Sequence, residues 1–187
     1  MMPRDVMVDL ETLGTEPGAV IISSGAVVFD RQRGVLLDEL YRGIDPRDAV
    51  SHGLHMDVGT VMWWMQQSDA ARAALTRGQR FPLVEALLDF SMLLTTADKY
   101  GGPDWPRDDG VRVRGNGAAF DNVLLRAAYE AIGRTPPWGF WNDRCYRTFR
   151  NEYPDVPRVE PDTAHHALAD ARAQAQHVLN IDAANRG

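Results

Sequence analysis

Apolar residues run almost without a break from Val6 to Leu10 and again over residues 19–29 (AVIISSGAVVF). Such a density of Val and Ile predicts buried strands. Glu16-Pro17-Gly18 reads as the turn between them. A polar turn closed by Gly34 follows, and residues 35–44 predict a strand returning antiparallel. Three strands, adjacent in one sheet, therefore lead the chain. A polar loop comes next, in which His52 and His55 read as solvated. Thr60 is a candidate N-cap for a helix over 60–75, and Pro82 suits the first turn of a second helix to Leu94. Leu83, Val84, Leu87 and Leu88 form its apolar stripe. Residues 99–110 (KYGGPDWPRDDG) are loop-forming, with a lid as one use for them. Residues 111–115 predict a short strand. Phe120, Leu124 and Ala128 recur at helical spacing in a helix reaching Ile132, and a last short strand is expected over 144–147. Asp162 or Thr163 then caps a final helix.

The length of 187 residues, with 44% hydrophobic and 25% charged positions, is that of an ordinary globular protein read as one domain over 1–187. No apolar run approaches a membrane span and the start shows no signal peptide, so no membrane partner and a cytoplasmic location are expected. The single cysteine, Cys145, excludes an internal disulfide and a cysteine-built zinc site, and reads as a small core residue. The net charge of −6 argues against broad electrostatic capture of long duplexes. It points to local engagement of a short or single-stranded chain end. Two bound divalent ions would neutralise four of those six charges.

Asp9 and Glu11 end the first strand two positions apart, hence on one face. They are either solvated acids or a pair that a divalent cation holds, since hard oxygen ligands suit Mg²⁺ or Mn²⁺. Asp121 opens a helix at the same edge of the sheet, as a first-turn acid favoured by the helix dipole or as a further ligand. Small residues around Asn116 and Gly117 let the backbone turn sharply and a ligand approach. On the final helix, His166 and Asp170 are same-face neighbours at i and i+4. Trp63 and Trp64 are about 100° apart on a helix, so one can enter the core while the other edges a groove and stacks on a base.

The blocks Asp9-x-Glu11, Asp121 and His165-x4-Asp170 together resemble the DEDDh exonucleases of the ribonuclease H-like superfamily. Leu10-Glu11-Thr12-Leu13-Gly14-Thr15, the Trp63-to-Ser68 helix, the Gly115-to-Asn122 stretch and Arg147-Thr148 look most like the phage exonuclease A group and the RNase AS-type exoribonucleases. The resemblance implies an α/β fold with a five-stranded mixed sheet, second strand antiparallel, flanked by helices. It implies hydrolysis with two Mg²⁺ (or Mn²⁺) ions from the 3′ end of single-stranded nucleic acid, RNA slightly favoured, releasing nucleoside 5′-monophosphates. Asp9, Glu11, Asp121 and Asp170 would be the metal ligands, with Asp9 bridging both ions. Aligned on the family's His-x-Ala-Leu-x-Asp-Ala, the general base falls on His165, whereas helix geometry alone prefers His166. Thr12, Leu13, Trp63, Trp64, Asn116 and Phe120 are the expected substrate contacts. By analogy with relatives, the Trp-rich surfaces could supply a homodimer interface. A DNA-specific enzyme of the same fold, a catalytically silent end-binding module and an internally cutting relative are the alternatives. The intact acids and histidine speak against the second, and the His-x4-Asp block with the acidic charge against the third.

Overall fold

The computed structural model describes residues 4–99, 110–163 and 165–186. The apolar runs form β1 (Asp5–Thr12), β2 (Ile21–Asp30) and β3 (Val35–Ile44). Then follow α1 (Pro46–Ser51), α2 (Val58–Met65), α3 (Asp69–Thr76), β4 (Arg80–Phe81) and α4 (Leu83–Lys99). The chain closes with β5 (Arg112–Gly115), α5 (Asp121–Ala131), β6 (Asp143–Cys145), α6 (Tyr146–Asn151) and α7 (Ala167–Ala184). The sheet order is β4-β3-β2-β1-β5-β6. β2 is antiparallel to both neighbours, and the other pairings are parallel. The mixed sheet with an antiparallel second strand is the one that the family resemblance implies.

Its strand count is six, not five. The additional strand, β4, has two residues, Arg80 and Phe81, paired with Gly43 and Ile44 at the sheet edge. A segment that short carries no periodicity to read.

β1 is central and covered on both faces. Val6, Val8 and Leu10 join a core with Leu83, Leu87 and Phe90 of α4 and Leu124, Leu125 and Ala128 of α5. Met7 faces the other way, into a core with Val27, Phe29 and α7's Ala171, Ala175, Val178 and Leu179. The strand period of two therefore puts Asp9 and Glu11 on the α7 side. The small residues Ala167, Ala171 and Ala175, all fully buried, let α7 lie close against the sheet.

Several boundaries differ from the sequence expectation, each for a local reason. The helix expected over 60–75 is two helices, because Ser68 starts a new one: its Oγ accepts from the Ala71 N–H at 3.2 Å. Asp57, not Thr60, caps α2, its Oδ1 accepting from the Thr60 N–H at 2.7 Å. α4 begins with the Leu83 N–H donating to Asp48 Oδ2 at 2.7 Å and continues to Lys99. Of the loop and lid expected over 99–110, residues 100–109 lie outside the described residues. β6 ends at Cys145, so Arg147 falls on α6. Cys145 is half-buried and caps α6, its Sγ accepting from the Thr148 N–H at 3.3 Å, rather than filling the core. His166, not Asp162 or Thr163, caps α7. Among the described residues no helix is long and apolar enough to cross a membrane.

Candidate active site

The site is built where β1 outruns β5. The β1–β5 ladder stops at Met7 opposite Arg114, and the chain turns away after Gly115. Beyond it the Leu10 N–H donates to Asp121 Oδ1 at 3.2 Å, while the Asn116 N–H donates to Asp121 Oδ2 at 2.7 Å. Gly115 makes the room: a Cβ there would lie 2.8 Å from Asp121 Cβ and 2.7 Å from Asn122 Oδ1. Asp121, the first residue of α5, is thus fixed beside the end of β1.

α7 brings the remaining acid from the opposite face. Asp9, Glu11 and Asp170 each offer a carboxylate oxygen, and the three lie within 4.8 Å of one another. Gly25, opposite Asp9 in the ladder, has no side chain where the first turn of α7 crosses β2. Gln174, one turn after Asp170, donates from Nε2 to Asp9 Oδ1 at 2.8 Å. Its Oε1 is buried without a partner. Sequence reading missed Gln174. The signal it offered was its i+4 spacing from Asp170 on a face already marked as polar.

Like charges held together in a poorly solvated place resist ionisation. Burial raises Asp9 well above the ordinary carboxylate range, with the Asp121 and Glu11 charges adding to it. Glu11 is pushed up to about 8 by burial and then by Asp170 and Asp121. Asp121 rises to about 6, because burial outweighs the N–H donors of Asn116 and Leu10 and the charge of Arg147. Asp170 is raised by burial against the His166 N–H and the histidine charges. Hard carboxylate oxygens, convergent and destabilised as anions, are the donor set that fits a divalent cation.

The two histidines part company at the start of α7. His165 is the one described non-glycine residue with a left-handed backbone, φ 60°. Its ring lies edge-on to Trp63 and Trp64, at centroid distances of 5.4 and 5.8 Å. The His166 ring instead stacks on Tyr41 at 4.7 Å, and its Nδ1 accepts from the Ala169 N–H at 3.4 Å. Its backbone N–H, not its ring, meets Asp170, donating to Oδ2 at 3.0 Å. The i,i+4 argument for His166 therefore gives way to capping geometry.

A cleft of about 470 Å³ opens beside Glu11, lined by Thr12, Asp57, Thr60, Trp63, Trp64 and Phe120. Trp64 is buried, its Nε1–H donating to the Thr12 carbonyl at 2.8 Å. Trp63, 43% exposed, forms the rim. One tryptophan in the core and one at a groove is the arrangement expected from their 100° separation. Leu13 does not line the cleft: its N–H donates to the Val20 carbonyl and its carbonyl accepts from the Asp57 N–H. Asn116 holds Asp121 through its N–H, and its side-chain Oδ1 is buried without a partner. Asp57 and Thr60 were not anticipated, because nothing local distinguishes a cap residue that also walls a groove.

The mixed sheet carries Asp-x-Glu at the end of the first strand, an Asp at the opening of the helix after β5 and a His-x4-Asp block whose His165 precedes the last helix and whose Asp170 lies in its first turn, the placement that the resemblance to the DEDDh exonucleases implies. The chain belongs to the 3′-5′ exoribonuclease Rv2179c-like domain family, whose model matches residues 4–181. No curated protein sequence matches it. Among solved structures it is similar to the zinc-bound complex of E. coli exonuclease I with single-stranded DNA, at 16% identity and a TM-score of 0.67 over 100% of this chain and 42% of that one. A full-length 3′-exonuclease aligns at 12% identity and a TM-score of 0.62, covering 98% of this chain and 83% of that one. The nuclease domain of 3′hExo, a DEDDh family member bound to rAMP, aligns at 14% identity and a TM-score of 0.58, covering 96% and 92%. These likenesses are of fold. The chain spans about two-fifths of the length of the exonuclease I chains it matches.

Proposed function

We propose that this chain is a metal-dependent exonuclease that removes nucleoside 5′-monophosphates one at a time from the 3′ end of single-stranded nucleic acid, with RNA favoured. The observation that carries this reading is the convergence of Asp9, Glu11 and Asp170 within 4.8 Å at the end of an aromatic cleft. The cleft's 470 Å³ is the size of a small-molecule site and suits a chain end better than a duplex.

Asp9, Glu11 and Asp170, with Asp121 beside them, would hold two Mg²⁺ or Mn²⁺ ions. When bound, such a pair neutralises charge on the phosphodiester and acidifies a water. The chain's own residues do the rest. His165, at the edge of the acids and free of the capping role that occupies His166, accepts the proton of the attacking water at a ring nitrogen. Trp63 offers an exposed face on which the terminal base stacks, and Phe120 lines the same cleft. Trp64 fixes the strand end through the Thr12 carbonyl.

The preference for RNA draws on the family description. A DNA-specific enzyme is the second reading, favoured by the fold shared with exonuclease I, which is seen bound to dT13 and dA16 oligonucleotides. Two 5′-labelled single strands of one sequence, RNA and DNA, incubated with Mg²⁺ or EDTA, test both. A metal-dependent ladder shortening from the 3′ end, faster for RNA, is expected. Binding of both without shortening would replace the enzyme by an end-binding module.

A further inference from the structure

A second concavity lies away from the acids, about 280 Å³ in volume, lined by Arg150, Asn151, Tyr153, Arg158 and His177 among others. No acidic residue lines it. Its floor is built from hydrogen-bonded side chains. His177 is buried, with Nδ1 and the Tyr146 hydroxyl 2.7 Å apart and Nε2 3.1 Å from the Val156 carbonyl. Arg150 lies over the Tyr146 ring, 5.3 Å from the centroid, and its Nε is buried without a hydrogen-bond partner. Burial holds His177 below the ordinary histidine value, and the charges of Arg150 and Arg158 lower it further, so both reach this floor. Glu160 is the opposing charge felt there, acting on Tyr146.

Several arginines elsewhere are held by carboxylates. Arg4, Arg31, Arg42, Arg114, Arg126 and Arg172 are each paired with a carboxylate. Arg147, Arg150 and Arg158 are in none of the ion pairs among the described residues. Arg147 and Arg150 are one turn apart on α6, and the charge of Arg147 reaches Asp121. Asp170 and His177 are seven residues apart on α7, hence on the same face and about 10 Å apart along the axis. Arg147, Arg150 and Arg158 thus lead from the acids to the pocket.

We propose that the Arg150–Arg158 pocket is an anion site for phosphates of the substrate strand on the 5′ side of the bond being cut, with Arg147 as the step between it and the acids. It rests on the exonuclease reading. It gives an acidic protein a local cationic hold on a polyanion, and it works without metal. A dinucleotide, whose one phosphate is the scissile one, cannot use it.

Affinity for a fluorescent 12-mer RNA is measured by anisotropy in EDTA across a salt series, for wild type, Arg158→Glu and Arg150→Gln. Arg158 is exposed, so its reversal leaves the core intact. Each variant is expected to bind about tenfold more weakly and to lose roughly 0.7 from the salt slope, the value for one phosphate contact on a single strand. Dinucleotide hydrolysis with Mg²⁺ stays at the wild-type rate. Unchanged 12-mer affinity in both variants overturns the proposal, as does failure of the wild type to bind the 12-mer in EDTA. Inorganic phosphate that binds the wild type and not Arg158→Glu, with 12-mer affinity unchanged, assigns the pocket to a free anion instead and also overturns it. Failure of the wild type to shorten any oligomer with Mg²⁺ sinks the exonuclease reading alone, because the binding comparison is made without turnover.

Discussion

Gly25 of β2 and Ala167 of α7 approach so closely that a Cβ on Gly25 would lie 2.2 Å from the Ala167 carbonyl carbon and 2.2 Å from the Leu168 nitrogen. Gly25 is also the ladder partner of Asp9, and Asp170 begins one turn further along the helix it admits. Gly25→Ala must push the first turn of α7 back by about 1 Å, and displacement on that scale costs on the order of 10²-fold in rate when reacting groups must stay in register. The expected outcome is a folded protein with a lowered melting temperature and hydrolysis reduced about 10²-fold. Wild-type activity in Gly25→Ala would show that α7 need not sit where it does.

Asp170→Asn keeps an acceptor for the His166 N–H but removes one of three converging charges. Hydrolysis should fall nearly to background, and the rise in melting temperature produced by Mg²⁺ should shrink. In EDTA the variant should be at least as stable as the wild type, because repulsion is relieved. Thermal melts with and without Mg²⁺, alongside the oligomer assay, check all three.

The metal-free protein should lose stability as pH rises. Glu11 keeps its proton up to about 8 when folded, against an ordinary glutamate value of 4.5, and Asp121 keeps its own to about 6 against 3.8. The folded state therefore binds more protons than the unfolded one between those limits. Its advantage is complete below about pH 4 and is lost as pH climbs through 6 and then 8. At about 1.4 kcal/mol for each tenfold change in proton affinity, the two shifts together set an upper bound of roughly 8 kcal/mol on the loss. Melting in EDTA should fall steadily from pH 5 to 8.5, and Mg²⁺ should restore more at pH 8 than at pH 5. A flat EDTA profile would contradict the burial of these acids.

His165→Ala and His166→Ala should separate cleanly. The first removes the ring facing Trp63 and Trp64 and is expected to cut kcat by about 10²–10⁴-fold, the usual contribution of a general base. The second removes a cap and the stack on Tyr41, and should cost roughly 0.5–2 kcal/mol of stability with kcat nearly intact. Circular-dichroism melts and single-turnover rates on the same samples decide it. Reversed effects would move the base to His166.

Trp63→Ala should raise KM more than it lowers kcat. Loss of one base stack costs about 1–3 kcal/mol, a change of roughly 5- to 150-fold. Trp64→Ala should instead destabilise the fold, since that ring is buried and anchors the Thr12 carbonyl. Steady-state kinetics on the two variants would expose an error if KM were insensitive to Trp63.

Three adjacent leading strands, the third returning antiparallel, were legible from the residues, because strand period is a local property written in hydrophobicity, whereas the acid set Asp9, Glu11, Asp121 and Asp170 came from the family resemblance. The helix period placed Trp63 and Trp64 on different sides of their helix. Local pattern failed where one residue answers to a distant neighbour. β4 exists only because Gly43 and Ile44 offer it a ladder, and the break at Ser68 depends on a cap outcompeting helix continuation. Gln174 acquires its role only when α7 lies across β1, and Gly25 only because a helix passes over it. The placement of His165 and His166 is another such case. Spacing along the chain favours one, but the tertiary structure engages His166 with Tyr41 and the first turn of α7 and turns His165 toward the cleft. Chemical identity travels with the sequence. Which atoms meet is decided by packing, because contacts between elements depend on the closest approach of backbones that no local window contains.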